Sequence, residues 1–589
     1  MGGDFNIIRR RDEKNNDNFD GRWSFMFNTI IESLDLREIE LSGRKFTWAN
    51  VMPNPTFEKL DRVLASVEWE QKFPFVTVQA LSRGISDHTP LFLDSGEATH
   101  LGNKNSFSFE LAWFEREGFF DLVAREWAKD AGGRTALERW QNKIRHLRSF
   151  LRGWAKHLSG IYKVEKERLL SLIQSLDVKA ETTVLPAAEL HAKLDAELRL
   201  KELLREEELK WALRAKVRRV VQGDANTQFF HMIANGKHRK KRIFQLEQDE
   251  GTIVGQENLK LYITEFYKQL FGPPDNNCVS LDESRVEDVP QLTVVENDVL
   301  TAPFTEKEVF EAVSQMETNK APGPDGFPAE FYKKCWFIIK GDLLPLFNDL
   351  FAGQLHLFQL NFGTITLLPK KTEAVRIEQF RPICLLNVSF KIFTKVGTNR
   401  LSQIAHAVVQ PTQTAFMPDR NILEGVVVLH ETLHEIHTKK LDGVVFKVDF
   451  EKAYDKVKWP FLQQALRMKG FDEAWRRQVE SFTQKGSVGI KVNDDIGHYF
   501  QTHKGLRQGD PMSPILFNIV VDMLAILIGR AKEAGQVGGL VPNLVDGGVS
   551  ILQYADDTII FMEHDLAKAR NMKLVLCLFE QLSGLKINF

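Results

Sequence analysis

The sequence predicts a mixed α/β, multidomain chain. Its 589 residues suffice for two to four domains. Three zones differ in texture: short strands and loops to about residue 95, long helical runs from 96 to 300, and mixed strands and helices from 301 to 589. The last zone alternates capped helices with short apolar strands, the pattern of an α/β unit.

Composition narrows the possibilities. The chain is 43% hydrophobic and 26% charged, which excludes disorder over most of its length. A formal net charge of −2 means that any nucleic-acid binding must come from local basic patches. No unbroken run of 18 apolar residues is present, so no transmembrane helix is expected. The start, Met1-Gly2-Gly3-Asp4-Phe5-Asn6, lacks a signal-peptide layout. Cys278, Cys335, Cys384 and Cys577 are too dispersed for a zinc cluster or a disulfide framework. A reducing compartment, nuclear or cytoplasmic and not secretory, is the expectation.

In the first zone Ser42-Gly43 and Pro53-Asn54-Pro55 mark turns. In the second, Trp140, Ile144, Leu147, Leu151, Trp154, Leu158 and Ile161 recur in steps of four and three, an a/d seam on one long helix. A second run follows through Leu190, Leu194 and Leu198 to Leu213 and Val217. The two predict an antiparallel hairpin or coiled-coil-like spacer, with a dimerisation helix as the alternative. In the third zone Thr305 and Glu308 form a capping box ahead of the apolar face of Val309, Ala312, Val313 and Met316. The prolines and glycines of Asn319 to Gly326 exclude a helix there. Gly443 to Phe450 reads as a buried strand, Ser487 to Phe500 as a β-hairpin, and Ile551 to Phe561 as two strands around a tight turn.

The chemistry concentrates in those last strands. Phosphoryl transfer needs positioning and charge neutralisation, commonly by two Mg²⁺ ions about 3.5–4 Å apart. Mg²⁺ takes carboxylate oxygens and substrate phosphates. Asp449 ends an apolar strand, and Asp556 and Asp557 sit at a turn within an apolar hairpin. Adjacent aspartates there are costly without a cation, although an isolated Asp-Asp is usually a solvated turn.

The surrounding residues resemble a known family. Phe446-Lys447-Val448-Asp449-Phe450-Glu451-Lys452-Ala453-Tyr454-Asp455 resembles the first palm motif of reverse transcriptases, and Gly505 to Pro514 the second. Tyr554-Ala555-Asp556-Asp557 is similar to the Tyr-x-Asp-Asp box, and Phe380 to Asn387 to a fingers motif. Asn319 to Gly326 resembles the block that opens this domain in non-LTR (LINE-type) elements and group II introns, closest to those of flowering plants. The resemblance covers about residues 300–589. It implies the fingers and palm of a right-hand polymerase with an antiparallel sheet, copying an RNA template onto a DNA primer from deoxynucleoside triphosphates. It implies two Mg²⁺ ions held by Asp449, Asp556, Asp557 and the Phe450 carbonyl. It makes Tyr454 a steric gate against the ribose 2′-OH, and Gln508 and Gly509 the floor of the nucleotide pocket. Arg381 and, less specifically, Lys370 or Lys371 would hold the triphosphate. Each basic residue could instead be a solvated loop charge, and Tyr454 a core aromatic.

Gly2 to Asn6, Lys59-Leu60-Asp61-Arg62 and Ser86-Asp87-His88 together resemble the exonuclease–endonuclease–phosphatase family, so that residues 1–95 imply part of its β-sandwich. By that resemblance Asp4 and Asn6 orient water and phosphate, His88 is held by Asp61, and Asp87 lies near a metal. The first half of that fold, with its metal-binding glutamate, is not in the sequence, and no nicking activity is expected. Gly223 to His231 and the basic run Lys237 to Arg242 resemble the linker ahead of plant LINE-type polymerases; they suit an RNA backbone, or a solvated charge run. Phe579 to Phe589 resembles the motif after the catalytic hairpin; a thumb, a zinc knuckle and ribonuclease H are not in the sequence. The rival expectation is an inactive remnant retaining at most RNA binding.

Overall fold

The computed structural model describes residues 1–588 except 17, 43, 51–55, 74–75, 81–86, 96–106, 181–182, 184, 216–241, 275–278, 372–373, 494, 544 and 546. The turns at Gly43 and Pro53 to Pro55, the motif Gly223 to His231, Cys278, and all of the basic run but Arg242 lie outside the described residues.

The first zone holds small sheets. Strand Asp61–Ser66 runs antiparallel between Gly2–Asp4 and Leu36–Glu38, in a register that sets Asp4 opposite Asp61. The fully buried Arg62 guanidinium anchors this sheet, 2.9 Å from Glu13 and 3.1 Å from Glu38. A second sheet orders Leu41–Ser42, Thr77–Ala80 and Leu91–Asp94.

The two helical runs are helices Ala136–Ala180 and Ala187–Ala215. They pack antiparallel, as Lys179–Glu189 (2.6 Å) and Arg199–Glu165 (2.9 Å) require. The apolar seams need correction. Trp140, Ile144, Leu147 and Leu151 are buried, Trp154 and Leu158 half-buried, and Ile161 exposed. Leu190, Leu194 and Leu198 also face solvent, and the helices meet through Leu169, Ala196 and Leu203. The a/d spacing is spent on the globular core as far as Leu151. Beyond it Trp154 still packs against Trp113 and Phe119, and the far half of the long helix meets the second helix on a different face. The side chain of Leu213 and all of Val217 lie outside the described residues.

One core unites Phe107 to Leu151 with Phe327 to Leu350 and most of the third zone, while Leu540, Val541, Val549 and Phe561 form a smaller cluster of their own. Rings of Phe107 and Phe327 lie 5.3 Å apart. The predicted capping box at Thr305 and Glu308 is formed. Asn319 to Gly326 is a turn, as its composition requires. At Gly323 a Cβ would stand 2.5 Å from the Asn387 amide, so only glycine lets this turn lie against the fingers-like strand.

Two sheets frame the cleft. A five-stranded sheet contains Phe380–Leu386, Phe362–Pro369, Ser487–Val492 and Asp495–Ile496 in that order, with Phe500–Gln501 pairing Ser487–Val492. The hairpin expected at Ser487 to Phe500 is present. A four-stranded antiparallel sheet orders Ile551–Tyr554, Asp557–Glu563, Gly443–Phe450 and Ile587–Asn588. Gly443–Phe450 was expected to be buried throughout; only Val448 and Phe450 are, because its first half borders solvent at Val444.

Helix Ser513–Glu533 is long and apolar enough to cross a membrane by length and composition, although Asp522 interrupts its apolar run. It lies inside this core instead, with 83% of its apolar window buried. Its one fully buried charge, Asp522, meets Lys469 Nζ at 2.5 Å; that ammonium also donates to the Val408 carbonyl at 2.6 Å, and the Gln410 amide donates to Asp522 at 2.8 Å. Losing either charge would strand the other in the core.

Candidate active site

The four-stranded sheet brings the three aspartates to one end. Val448 pairs with Thr558, so Asp449 follows directly beside the start of Asp557–Glu563. Tyr554 pairs with Asp557, leaving Ala555 and Asp556 as the turn. Ala555 has φ +55°, a left-handed value that a non-glycine residue holds only when its surroundings enforce it. Gln413 supplies the enforcement: it is fully buried, and its Oε1 accepts from the Ala555 amide at 2.9 Å. No motif in the sequence marked Gln413.

All three aspartates are solvent-facing. Lys447, two residues before Asp449 on the same strand face, approaches Asp557 to 2.5 Å. Asp557, and behind it Asp449 and Asp556, raise the Lys447 pKa, so one ammonium feels all three carboxylates. The grouping is looser than sequence reasoning expected. Among the described residues, Asp4, Asp61 and His88 bring their ligand atoms within 4.8 Å of one another, whereas the three aspartates do not. Mutual repulsion and the Lys447 pair account for the spread. A hard dication suits this oxygen donor set.

Tyr454 is half-buried and stacks on Phe517, with centroids 4.4 Å apart and planes at 17°. Burial, then the negative charge of Asp556, pushes its phenol pKa up. Gln508 and Gly509 lie against the strand that carries Arg381: the Cys384 amide donates to the Gln508 carbonyl at 2.9 Å. Gly509 has φ +110°, and a Cβ there would meet the Cys384 carbonyl at 2.8 Å. Arg381, Lys370 and Lys371 are exposed. The Phe450 side chain is buried, its ring 6.3 Å from Phe579.

Two acids near this pocket escaped the sequence reading. Asp510 is buried and accepts from the Met512 amide at 2.9 Å. Asp455, buried beneath Tyr454, accepts from Gln508 Nε2 at 3.5 Å. Burial pushes the Asp455 carboxyl up to about 7, against the pull of Lys452, Lys370 and Lys456. A folded-state pKa above the unfolded one favours the protonated form. The stabilisation is therefore complete below the unfolded value of 3.8 and is lost as pH rises through about 7. Asp455→Asn is expected to flatten that part of the stability–pH curve. Above pH 7 it should exceed the unmodified chain by at most on the order of 4 kcal/mol, the equivalent of roughly three pKa units. Urea unfolding between pH 4 and 8 measures this; parallel curves for the two proteins would contradict it.

In the first zone His88 Nδ1 lies 2.9 Å from Asp61 Oδ2, and its Nε2 lies 3.9 Å from Asp4. The Asp61 hydrogen bond raises the imidazole pKa. Asp87 instead accepts from Trp48 Nε1 at 2.9 Å. The Asn6 amide donates to Asp4 at 2.9 Å from a left-handed residue, φ +54°. Asp61 and His88 line an open cavity of about 850 Å³. The structure thus brings Asp4, Asn6, Asp61 and His88 together, with Asp87 turned to the tryptophan.

Comparison with known proteins gives these sites a class. Residues 368–589 match the family "Reverse transcriptase (RNA-dependent DNA polymerase)". The chain is similar along its whole length to the "Transposon TX1 uncharacterized 149 kDa protein" of Xenopus laevis, at 25% identity over 45% of that protein. It is 27% identical over 265 residues, 45% of this chain and 24% of the relative, to "Retrovirus-related Pol polyprotein from type-1 retrotransposable element R2" of Nasonia vitripennis. It is 42% identical over 55 residues, 9% of this chain and 45% of the relative, to an uncharacterized mitochondrial protein of Arabidopsis thaliana. The chain spans less than half the length of these relatives. The segment that carries the three aspartates thus resembles an RNA-directed DNA polymerase domain. The relatives place that similarity among proteins of transposable elements.

Proposed function

We propose that this chain extends a DNA primer along an RNA template, using deoxynucleoside triphosphates and divalent metal ions. The observation that supports this most is the placing of Asp449, Asp556 and Asp557 at one end of an antiparallel sheet, all facing solvent.

In this reading Asp449, Asp556, Asp557 and the Phe450 carbonyl hold two Mg²⁺ ions. When bound, such ions activate the attacking 3′-oxygen and neutralise charge on the transferring phosphoryl group. Arg381, with Lys370 or Lys371, binds the triphosphate; Gln508 and Gly509 support the base pair; Tyr454 packs against the sugar. Lys447 pairs with Asp557 and would move aside for the cation.

The same proposal assigns residues 301–589 to fingers and palm and residues 96–300 to a helical connection. It reads residues 1–95 as part of an exonuclease–endonuclease–phosphatase fold in which Asp61 orients His88. The identity with the Arabidopsis protein supports a plant-like affinity.

The test is extension of a labelled DNA primer annealed to RNA, with Mg²⁺ and the four deoxynucleotides. Products should lengthen stepwise and vanish with EDTA. Retention of the RNA–primer hybrid without any extension would favour the inactive-remnant reading.

A further inference from the structure

Lys452 presents a buried cation without an acceptor. It sits on the turn between strand Gly443–Phe450 and the short helix Ala453–Lys456, at φ +48°. Its Nζ is buried and, among the described residues, makes no hydrogen bond. Two ring faces hold it instead: Nζ is 4.1 Å from the centroid of Phe266 and 5.3 Å from that of Tyr267. Those aromatics belong to helix Gln256–Leu270, well before the segment that matches the reverse transcriptase family. Ring quadrupoles attract an ammonium, but they do not replace the three acceptors that its N–H groups would find in water. The nearest carboxylates, Asp455 and Glu378, act on Lys452 only through space, and Lys370 of the neighbouring sheet repels it.

Charge and position name the missing acceptor. Lys452 follows Asp449 by three residues and Tyr454 by minus two, so it flanks the proposed metal and sugar positions. Lys370, which follows the strand paired with the one that carries Arg381, is close enough to repel Lys452. Two ammonium groups that repel one another, one without an acceptor among the described residues, suit a multiply charged anion. We infer that Lys452 binds the terminal phosphates of the incoming nucleotide, with Phe266 and Tyr267 holding its side chain in waiting. This deepens the polymerase reading and rests on it. It also gives helix Gln256–Leu270 a part in nucleotide selection.

The experiment is steady-state primer extension on RNA by the full chain, together with inhibition by inorganic pyrophosphate. Extension by the unmodified chain tests the polymerase reading itself, independently of Lys452. Lys452→Met keeps most of the length of the side chain and removes its charge. It should raise KM for deoxynucleotides and Ki for pyrophosphate by about tenfold to a hundredfold, the range of one charge-assisted hydrogen bond. kcat should fall much less, and Lys452→Arg should recover most of the loss. An unchanged KM and Ki in Lys452→Met would overturn the inference. So would a fall in kcat alone with a lowered melting temperature, because the lysine would then be a packing residue. Should Lys452→Met fold poorly, Phe266→Leu opens the cage while retaining the lysine: KM should stay within about threefold, whereas a purely structural cation–π contact predicts loss of stability without rescue.

Discussion

Asp556→Asn should abolish primer extension and leave RNA binding nearly intact. The substitution keeps volume and removes one negative charge from a solvent-facing turn that Gln413 fixes through the backbone of Ala555. Folding should therefore be spared, because no buried partner loses its bond. What is lost is a ligand for a hard cation whose stabilisation of transition-state charge amounts to several kcal/mol. At about 1.4 kcal/mol per factor of ten, the rate should fall by about a thousandfold or more. Gel-resolved extension and filter binding of labelled RNA, run on the same preparations, measure the two effects. Full activity of the variant would remove Asp556 from the site; parallel loss of RNA binding would make it a folding residue.

Tyr454→Val should shift sugar selectivity toward ribonucleotides. The ring lies nearly flat on Phe517, which fixes its plane. A rigid ring excludes a 2′-hydroxyl by occupying its volume, and a difference of about 3 kcal/mol would be more than a hundredfold in kcat/KM. The same stacking also makes Tyr454 a packing residue, so the two roles must be separated by the ratio. If Tyr454 only packs, both sugars lose equally and the melting temperature falls. Matched kcat/KM values for dATP and ATP, beside a melting curve, decide it.

Much of this architecture was legible because local chemistry dictated it. The Thr305–Glu308 capping box, the Asn319–Gly326 turn and the Ile551 to Phe561 hairpin each follow from residue types that permit few alternatives. The approach of Asp61 to His88 was likewise expected from the resemblance. The helical seams were not fully legible. A 3.5-residue period states that a face is apolar, not what covers it, and the core takes Trp140 to Leu151 while Leu190 to Leu198 stay in water.

Other parts of the site depend on distant partners and left no local signal. Gln413 steadies the aspartate turn from 142 positions away. Asp455 was quoted within a motif, yet nothing in the sequence marked it as buried. The ring cage of Lys452 requires residues 266 and 267 to fold against 452. The apolar helix Ser513–Glu533 has the composition of a spanning segment, and only its packing reveals a core element. Long-range packing of this kind is set by the whole chain and not by any window of it.

The central claim is RNA-templated DNA synthesis at the Asp449–Asp556–Asp557 end of the sheet. Its most direct measurement is the sequence of the extended strand from a heteropolymeric RNA template and a DNA primer. The account predicts a faithful complement of the RNA, made only with divalent metal and absent when Asp556→Asn replaces the unmodified chain. A primer left unextended across metal and nucleotide concentrations, or extension that ignores the RNA sequence, would contradict it.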